Sequence, residues 1–301
     1  MTSICLTLGH NSSAVLVTNT GKPIGYEEER FTRVKSDSAF PEHAFSAIFD
    51  DDGDPNTLNI RDAYVIRDVY VSHWFDNFDP ETTENKYYSA SAVRRHFPEA
   101  TIHATSHEGF SHHDGHAYSG LAFYESHRGS HTDDLAVIVM DGFGNNQEVA
   151  SLYEHDGEDL VLKHRVYDYR NSMGLLYQYA ATACGMDGIN DVYKFLGYRT
   201  QLKSDRDLSD CQVIADQIFQ AYRMAYLKGT ETGPAVKHSD TINKSDLNRC
   251  RSYVESLFFS LVDDEDTEGT RARVGYVAQD VLERIVRLYA SRTDKSTIIT
   301  A

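Results

Sequence analysis

The chain is short of the features that mark several protein classes. Its four cysteines, Cys5, Cys184, Cys211 and Cys250, are scattered through 301 residues. No C-x-x-C pair exists, which removes a zinc ribbon and a dithiol redox site from consideration. Reduced thiols in a cytoplasmic protein are the simplest reading. No run of about 18 apolar residues occurs, so no membrane span is expected. The first residues, MTSICLTLGHNSS, lack a basic region followed by a long apolar core and do not read as a signal peptide. Basic residues are scarce as well: 29 Lys and Arg stand against 46 Asp and Glu, a formal net charge of −17. That excludes a general nucleic-acid-binding surface and leaves room only for a local basic groove.

What is present describes a globular protein. Hydrophobic residues make up 41% and charged residues 25%, and the length suits one large domain or two lobes. Histidine is concentrated in one stretch. Ser106–Tyr118, SHEGFSHHDGHAY, holds His107, His112, His113 and His116, with His103 just upstream, so five of the 14 histidines fall within fourteen residues. If Gly109 and Ser111 open a helix, His112 and His116 stand at i and i+4, and two imidazoles share one face. That spacing serves one metal ion, or it is a polar helix start with incidental histidines. No Glu follows the first His, so the zinc-protease pattern is absent. The helix continues as AYSGLAFYES, with Ala117, Leu121, Ala122 and Tyr124 expected to pack inward.

Taken in order, SICLTL and AVLVT read as two strands around the small polar loop Gly9–Ser13, with a turn at Asn19–Lys22 and a third strand in Pro23–Glu28. The run Glu27–Lys35, EEERFTRVK, puts three acids before Arg30, Arg33 and Lys35. It reads as a grip for an anionic ligand or as a charged turn with its own salt bridges. Pro41–Phe49 starts a helix. Asp50–Asn56 resembles a calcium loop but lacks the later Glu. Ala63–Val71 and Thr101–Ala104 read as strands and Tyr87–His96 as a helix. Leu135–Met140, LAVIVM, is the clearest buried strand. It runs into Asp141-Gly142-Phe143-Gly144, a carboxylate at a strand tip followed by a turn whose N–H groups can hold a phosphate or a metal-bound water. An ordinary hairpin turn capped by Asp is the other reading. Returning strands follow at Glu148–Tyr153 and Leu160–Tyr167. Asn171–Cys184 is an apolar helix with Ser172 at its entrance. Asn190–Tyr198 reads as a loop bearing Lys194 and Gly197. Leu208–Tyr226 carries a stripe of Ile214, Ile218, Ala221, Tyr222 and Ala225. Gly229–Ser245 reads as a flexible polar insertion. Helices at Asp246–Val262 and Thr267–Arg292 precede a last strand, TIIT, at Thr297–Thr300.

Several of these pieces, in this order, resemble the NodU/CmcH-type O-carbamoyltransferase family: GHNSSA at Gly9–Ala14, EEERFTRVK, HHDGHA at His112–Ala117, VMDGFG at Val139–Gly144, SMGLLY at Ser172–Tyr177 and YKFLG at Tyr193–Gly197. The N-terminal domain of that family is related to the tRNA threonylcarbamoyl-transfer enzymes. The resemblance implies an α/β fold of the actin-like ATPase and sugar-kinase type, with duplicated mixed-sheet lobes at about 1–140 and 141–301, the second truncated. It implies a divalent metal, iron in that family, on His112 and His116, with His113 as the register alternative. It implies transfer of a carbamoyl group from carbamoyl phosphate, through a carbamoyl-adenylate made with ATP, to a hydroxyl of a small-molecule acceptor. Beyond the histidine pair that the resemblance carries over, physical logic alone offers roles: His10 as base, Lys35, Arg30 and Arg33 stabilising phosphate charge, and Asp141 positioning a ligand or water. Asn11, Ser12, Gly142, Gly144, Ser172 and Lys194 line substrate and nucleotide. The family's third metal ligand, an Asp after a Gly-Gly segment, and its YrdC-like C-terminal domain do not occur in these residues. Activity is therefore expected with a second polypeptide or a missing part. Val192 stands where the family has a Glu. Two other outcomes stay open: a non-catalytic remnant that binds nucleotide or a partner, and tRNA threonylcarbamoyl transfer, against which the acidic balance argues.

Overall fold

The computed structural model describes residues 3–9, 11–18, 23–49, 66–73, 78–106, 109–128, 133–188, 191–202, 205–228 and 244–301. His10, the Asn19–Lys22 turn, the Asp50–Asn56 loop and nearly all of the Gly229–Ser245 segment lie outside them. The protein is α/β, with two mixed sheets in two compact units, Met1–Gly115 and His116–Ala301.

The first unit is built on a five-stranded sheet. Strands β1 (Ser3–Thr7), β2 (Ser13–Val17) and β3 (Ile24–Glu27) form an antiparallel meander. Short helix α1 (Glu29–Thr32) and helix α2 (Glu42–Phe49) follow. Strand β4 (Asp68–Ser72) then joins β1 in parallel, and after α3 (Ala90–His96) strand β5 (Thr101–Ala104) joins β4. The order is β3-β2-β1-β4-β5. Period-two patterning drives this arrangement. Ile4, Leu6, Ala14, Leu16, Val69 and Val71 all fall on one face and pack with Ala44, Phe45 and Ile48 of α2 and Ala90 and Val93 of α3. Helix α3 begins at Ala90, not Tyr87, because Ser89 is extended and its hydroxyl accepts from Ala92 N–H. Between β1 and β2, Gly9 takes φ 103° and Asn11 takes φ 61°, and glycine is the residue that enters this region without steric cost.

In the second unit, α4 (His112–Arg128), whose first turn precedes the division, runs on to β6 (Leu135–Met140), β7 (Glu148–His155) and β8 (Leu160–Tyr167), a second antiparallel meander. Helices α5 (Met173–Ala183), α6 (Val192–Phe195), α7 (Asp205–Lys228), α8 (Lys244–Phe259) and α9 (Thr267–Ala290) lead to β9 (Thr297–Thr300). That strand returns parallel to β6, and the order is β8-β7-β6-β9.

Strand β6 is apolar throughout because it is covered twice. Ala136 and Ile138 face α5, α7 and α9, while Leu135, Val137 and Val139 face Ala117 and Leu121 of α4. A strand buried on both faces reads as a continuous apolar run. On α9, Val274, Val277, Ala278, Val281 and Ile285 form the buried stripe.

Two local expectations change. Ala122 and Ala221 are exposed, since a helix of this kind buries only one stripe and both alanines lie off it. The expected loop at Asn190–Tyr198 contains α6 and then a 3-10 helix over Leu196–Gln201. It is fixed by Asp191 O, which accepts from Lys194 and Phe195 N–H at 3.0 Å, and by fully buried Phe195. Cys184 and Cys211 are buried thiols, their pKa values pushed by burial up to about 12 and about 11, so they are inert near neutral pH. Among the described residues no helix is long and apolar enough to cross a membrane.

Candidate metal centre

The start of α4 is set by two reciprocal bonds. Ser111 N–H donates to Asp114 Oδ2 at 2.6 Å, and Asp114 N–H donates to Ser111 Oγ at 3.1 Å. This capping box, worth about 1 kcal/mol, makes His112 the first helical residue. His112 and His116 then stand one turn apart on one face. His113 lies about 100° further round and is wholly buried.

On the sheet, alternation along β6 turns the residue after Met140 toward the side where Val137 and Val139 pack on α4. That residue is Asp141. Its Oδ1 accepts from Gly142 N–H at 2.5 Å, and its Oδ2 lies 3.7 Å from His116 Nε2. His112, His116 and Asp141 each bring one ligand atom into a group whose members are all within 4.8 Å of one another, and all three are half-buried.

This donor set fits a divalent cation. A tetrahedral ion with bonds of about 2.1 Å holds its donors about 3.4 Å apart. The His116–Asp141 edge is within a few tenths of that, and rotation of the imidazoles closes the rest. Two neutral imidazoles and one carboxylate are borderline donors, suited to iron, zinc, cobalt or manganese rather than to calcium or copper(I). Three protein ligands leave coordination positions open, as catalytic sites require.

The β6–β7 turn behind Asp141 is tightly made. Asp141 N–H donates to Val149 O at 3.2 Å, and Gly144 N–H to Glu148 O at 2.6 Å. The N–H groups of Gly142 and Gly144 are thus used inside the turn. Ser172 is fully buried at the N-terminus of α5, where its hydroxyl accepts from Leu175 N–H and donates to Asp141 O, each at 3.1 Å.

Other residues singled out from the sequence have separate surroundings. Arg30 is exposed and bonds Glu27 at 3.1–3.2 Å. Arg33 takes φ 62° and ends α1, its N–H donating to Glu29 O. Lys35 and Asn11 are exposed and Ser12 is buried. Lys194 Nζ donates to Asp191 Oδ1 at 2.8 Å. The acids of Glu27–Lys35 are all engaged locally. Glu29 accepts from Ser36 N–H, and the buried Glu28 carboxylate accepts from His43 and Ala44 N–H at 3.2 and 2.8 Å. Within that stretch Arg30 is paired with Glu27, while Glu28 and Glu29 accept from backbone N–H groups beyond it.

Asp114 escaped the sequence reading although it had a signal, the S-x-x-D spacing of a capping box. No protein-family model matches this chain, and no curated protein matches it.

Proposed function

We propose that this chain binds one divalent transition-metal ion, iron or zinc first, through His112, His116 and Asp141, and that it serves carbamoyl transfer to a hydroxyl group. The observation that carries the reading is the convergence of those three side chains at the tip of a buried strand. In this reading Asp141 is the third ligand, the place that the family gives to an Asp after a Gly-Gly segment. When bound, the ion supplies Lewis acidity toward a carbonyl or phosphate oxygen. His112, His116 and Asp141 would hold it, and the burial of β6 would keep the ligand frame rigid.

The rest follows the family resemblance. The donor is carbamoyl phosphate, activated with ATP as a carbamoyl-adenylate, and the acceptor is a small hydroxylated molecule in the cytoplasm. A second polypeptide or further domain makes the adenylate. His10 acts as base, and Arg30, Arg33 and Lys35 offer cationic charge to phosphate. The strand orders favour the actin-like architecture, since each sheet opens with a three-strand antiparallel meander and continues with a parallel strand beside its first strand.

One observation favours a second reading, a non-catalytic binding module. The Gly142 and Gly144 N–H groups are used within their own turn and are not offered to a phosphate. Supplying preformed carbamoyl-adenylate with a panel of hydroxylated acceptors separates the two. Metal-dependent carbamoylation, lost in His116→Ala, supports the enzyme. Bound metal without turnover on any acceptor supports the module.

A further inference from the structure

Asp141 is held from behind by the first turn of α5. Ser172 Oγ donates to Asp141 O at 3.1 Å while accepting Leu175 N–H, so one hydroxyl joins the strand tip to the helix start. Two residues on, Gly174 lies against the β6–β7 turn. A Cβ built there would stand 2.8 Å from both the N and Cα of Gly142 and 3.2 Å from the carbonyl carbon of Asp141. Carbon atoms in ordinary contact need about 3.5 Å, and both neighbours are backbone, which cannot rotate away.

We infer that Ser172 and Gly174 are positioning residues of the metal centre: together they set the height of the β6 tip and hence the reach of the Asp141 carboxylate toward His116. The inference rests on the metal-binding reading above. Its logic is geometric. The histidines ride on α4 and their spacing is a property of that helix. The carboxylate rides on a strand tip, whose position is a property of what packs behind it. Asp141 Oδ1 is already tied to Gly142 N–H, so any push on the Gly142 backbone rotates the carboxylate as well. Groups behind a ligand change metal affinity by about 10–100-fold when removed. Ser172 thus acts on the metal through Asp141 rather than by touching substrate.

Cobalt titration tests this, because the visible absorption of bound Co²⁺ reports coordination as well as affinity. The expected order has Gly174→Ala weakening Co²⁺ binding by at least tenfold with an altered spectrum, Ser172→Ala by about tenfold, and Ser172→Thr restoring affinity, since threonine keeps both bonds. Tyr289→Phe, which removes a buried bond to His164 in the same unit, controls for lost stability. It should lower the unfolding midpoint and leave Co²⁺ affinity unchanged. If Asp141→Ala weakens binding while Gly174→Ala and Ser172→Ala bind and absorb like wild type, the positioning role is overturned and the metal reading stands. If the wild-type chain binds no Co²⁺, the metal reading falls and takes the positioning role with it. If Tyr289→Phe weakens binding as much as Gly174→Ala, the effect is general destabilisation and the inference is wrong.

Discussion

The two sheets repeat one plan and differ in what they carry. β1-β2-β3 and β6-β7-β8 are both antiparallel meanders, and β4 and β9 each return parallel beside the first strand of their meander. The first turn of each contains left-handed residues, Gly9 and Asn11 in one, Asn146 and Gln147 in the other. In both, a buried side chain caps a helix that follows the meander. In the first unit it is the Glu28 carboxylate, holding His43 and Ala44 N–H at the start of α2. In the second it is the Ser172 hydroxyl, which also reaches Asp141. A carboxylate accepts hydrogen bonds and cannot donate them when ionised. A hydroxyl does both, so only the second cap can grip a backbone carbonyl of the neighbouring turn. The difference lies in what each cap must join: the cap that needs no link to the turn is a strong acceptor, and the cap beside Asp141 is a two-way connector.

The largest expected effect breaks the comparison outright. Asp141→Ala should weaken metal binding by more than a hundredfold, whereas Glu28→Ala should leave it unchanged; isothermal titration on both variants decides. The cost of Glu28→Ala appears elsewhere. It removes a charged acceptor from two backbone N–H groups, which corresponds to about 2–4 kcal/mol of stability, measurable by urea unfolding followed in the first unit. Ser172→Ala, a neutral cap, should cost about 1–2 kcal/mol.

Histidine sharpens the contrast through the sign of its pH dependence. In the second unit, buried His164 has its pKa lowered to about 4 by desolvation, then by the charge of Arg292. The neutral form is the folded one. Its contribution is complete above pH 6.5 and is lost as pH falls from there toward 4, about 3 kcal/mol in all. In the first unit, His43 has its pKa raised by its hydrogen bond to Glu28 and by that group's charge. Its contribution is complete below pH 6.5 and is lost as pH rises through the elevated value. It is smaller, because the ring is mostly exposed and solvent screens it. Unfolding curves at pH 4.5, 6 and 8 should therefore show His164→Phe flattening the acid limb and His43→Ala flattening the alkaline one. The smallest effect is Arg30→Ala, which removes an exposed pair with Glu27 and should change stability by less than about 0.5 kcal/mol.

Much of this frame is legible in the sequence for simple reasons. Alternation marks β1 and β2, the unbroken apolar run marks β6, and the i, i+4 interval marks His112 and His116, since each is a local period. Asp141 is legible as a strand tip but not as a partner of the histidines, because 24 residues of helix, loop and strand separate it from His116 and only packing of α4 on β6 closes the gap. Gly174 is invisible for the same reason. Its missing side chain matters only where Gly142 arrives. Arg30, Arg33 and Lys35 show the opposite limit. Their charge is plain in the sequence, which admits an anion grip and a salt-bridged turn alike, and the partners that Glu27 and Glu29 take are visible only in three dimensions.

The most direct test of the metal centre is elemental analysis of the purified wild-type chain beside His116→Ala and Asp141→Ala, each prepared with and without oxygen to protect a ferrous ion. The account predicts close to one transition-metal ion per wild-type chain and close to none in either variant. Equal metal content in all three proteins, or none in the wild type under either condition, contradicts it.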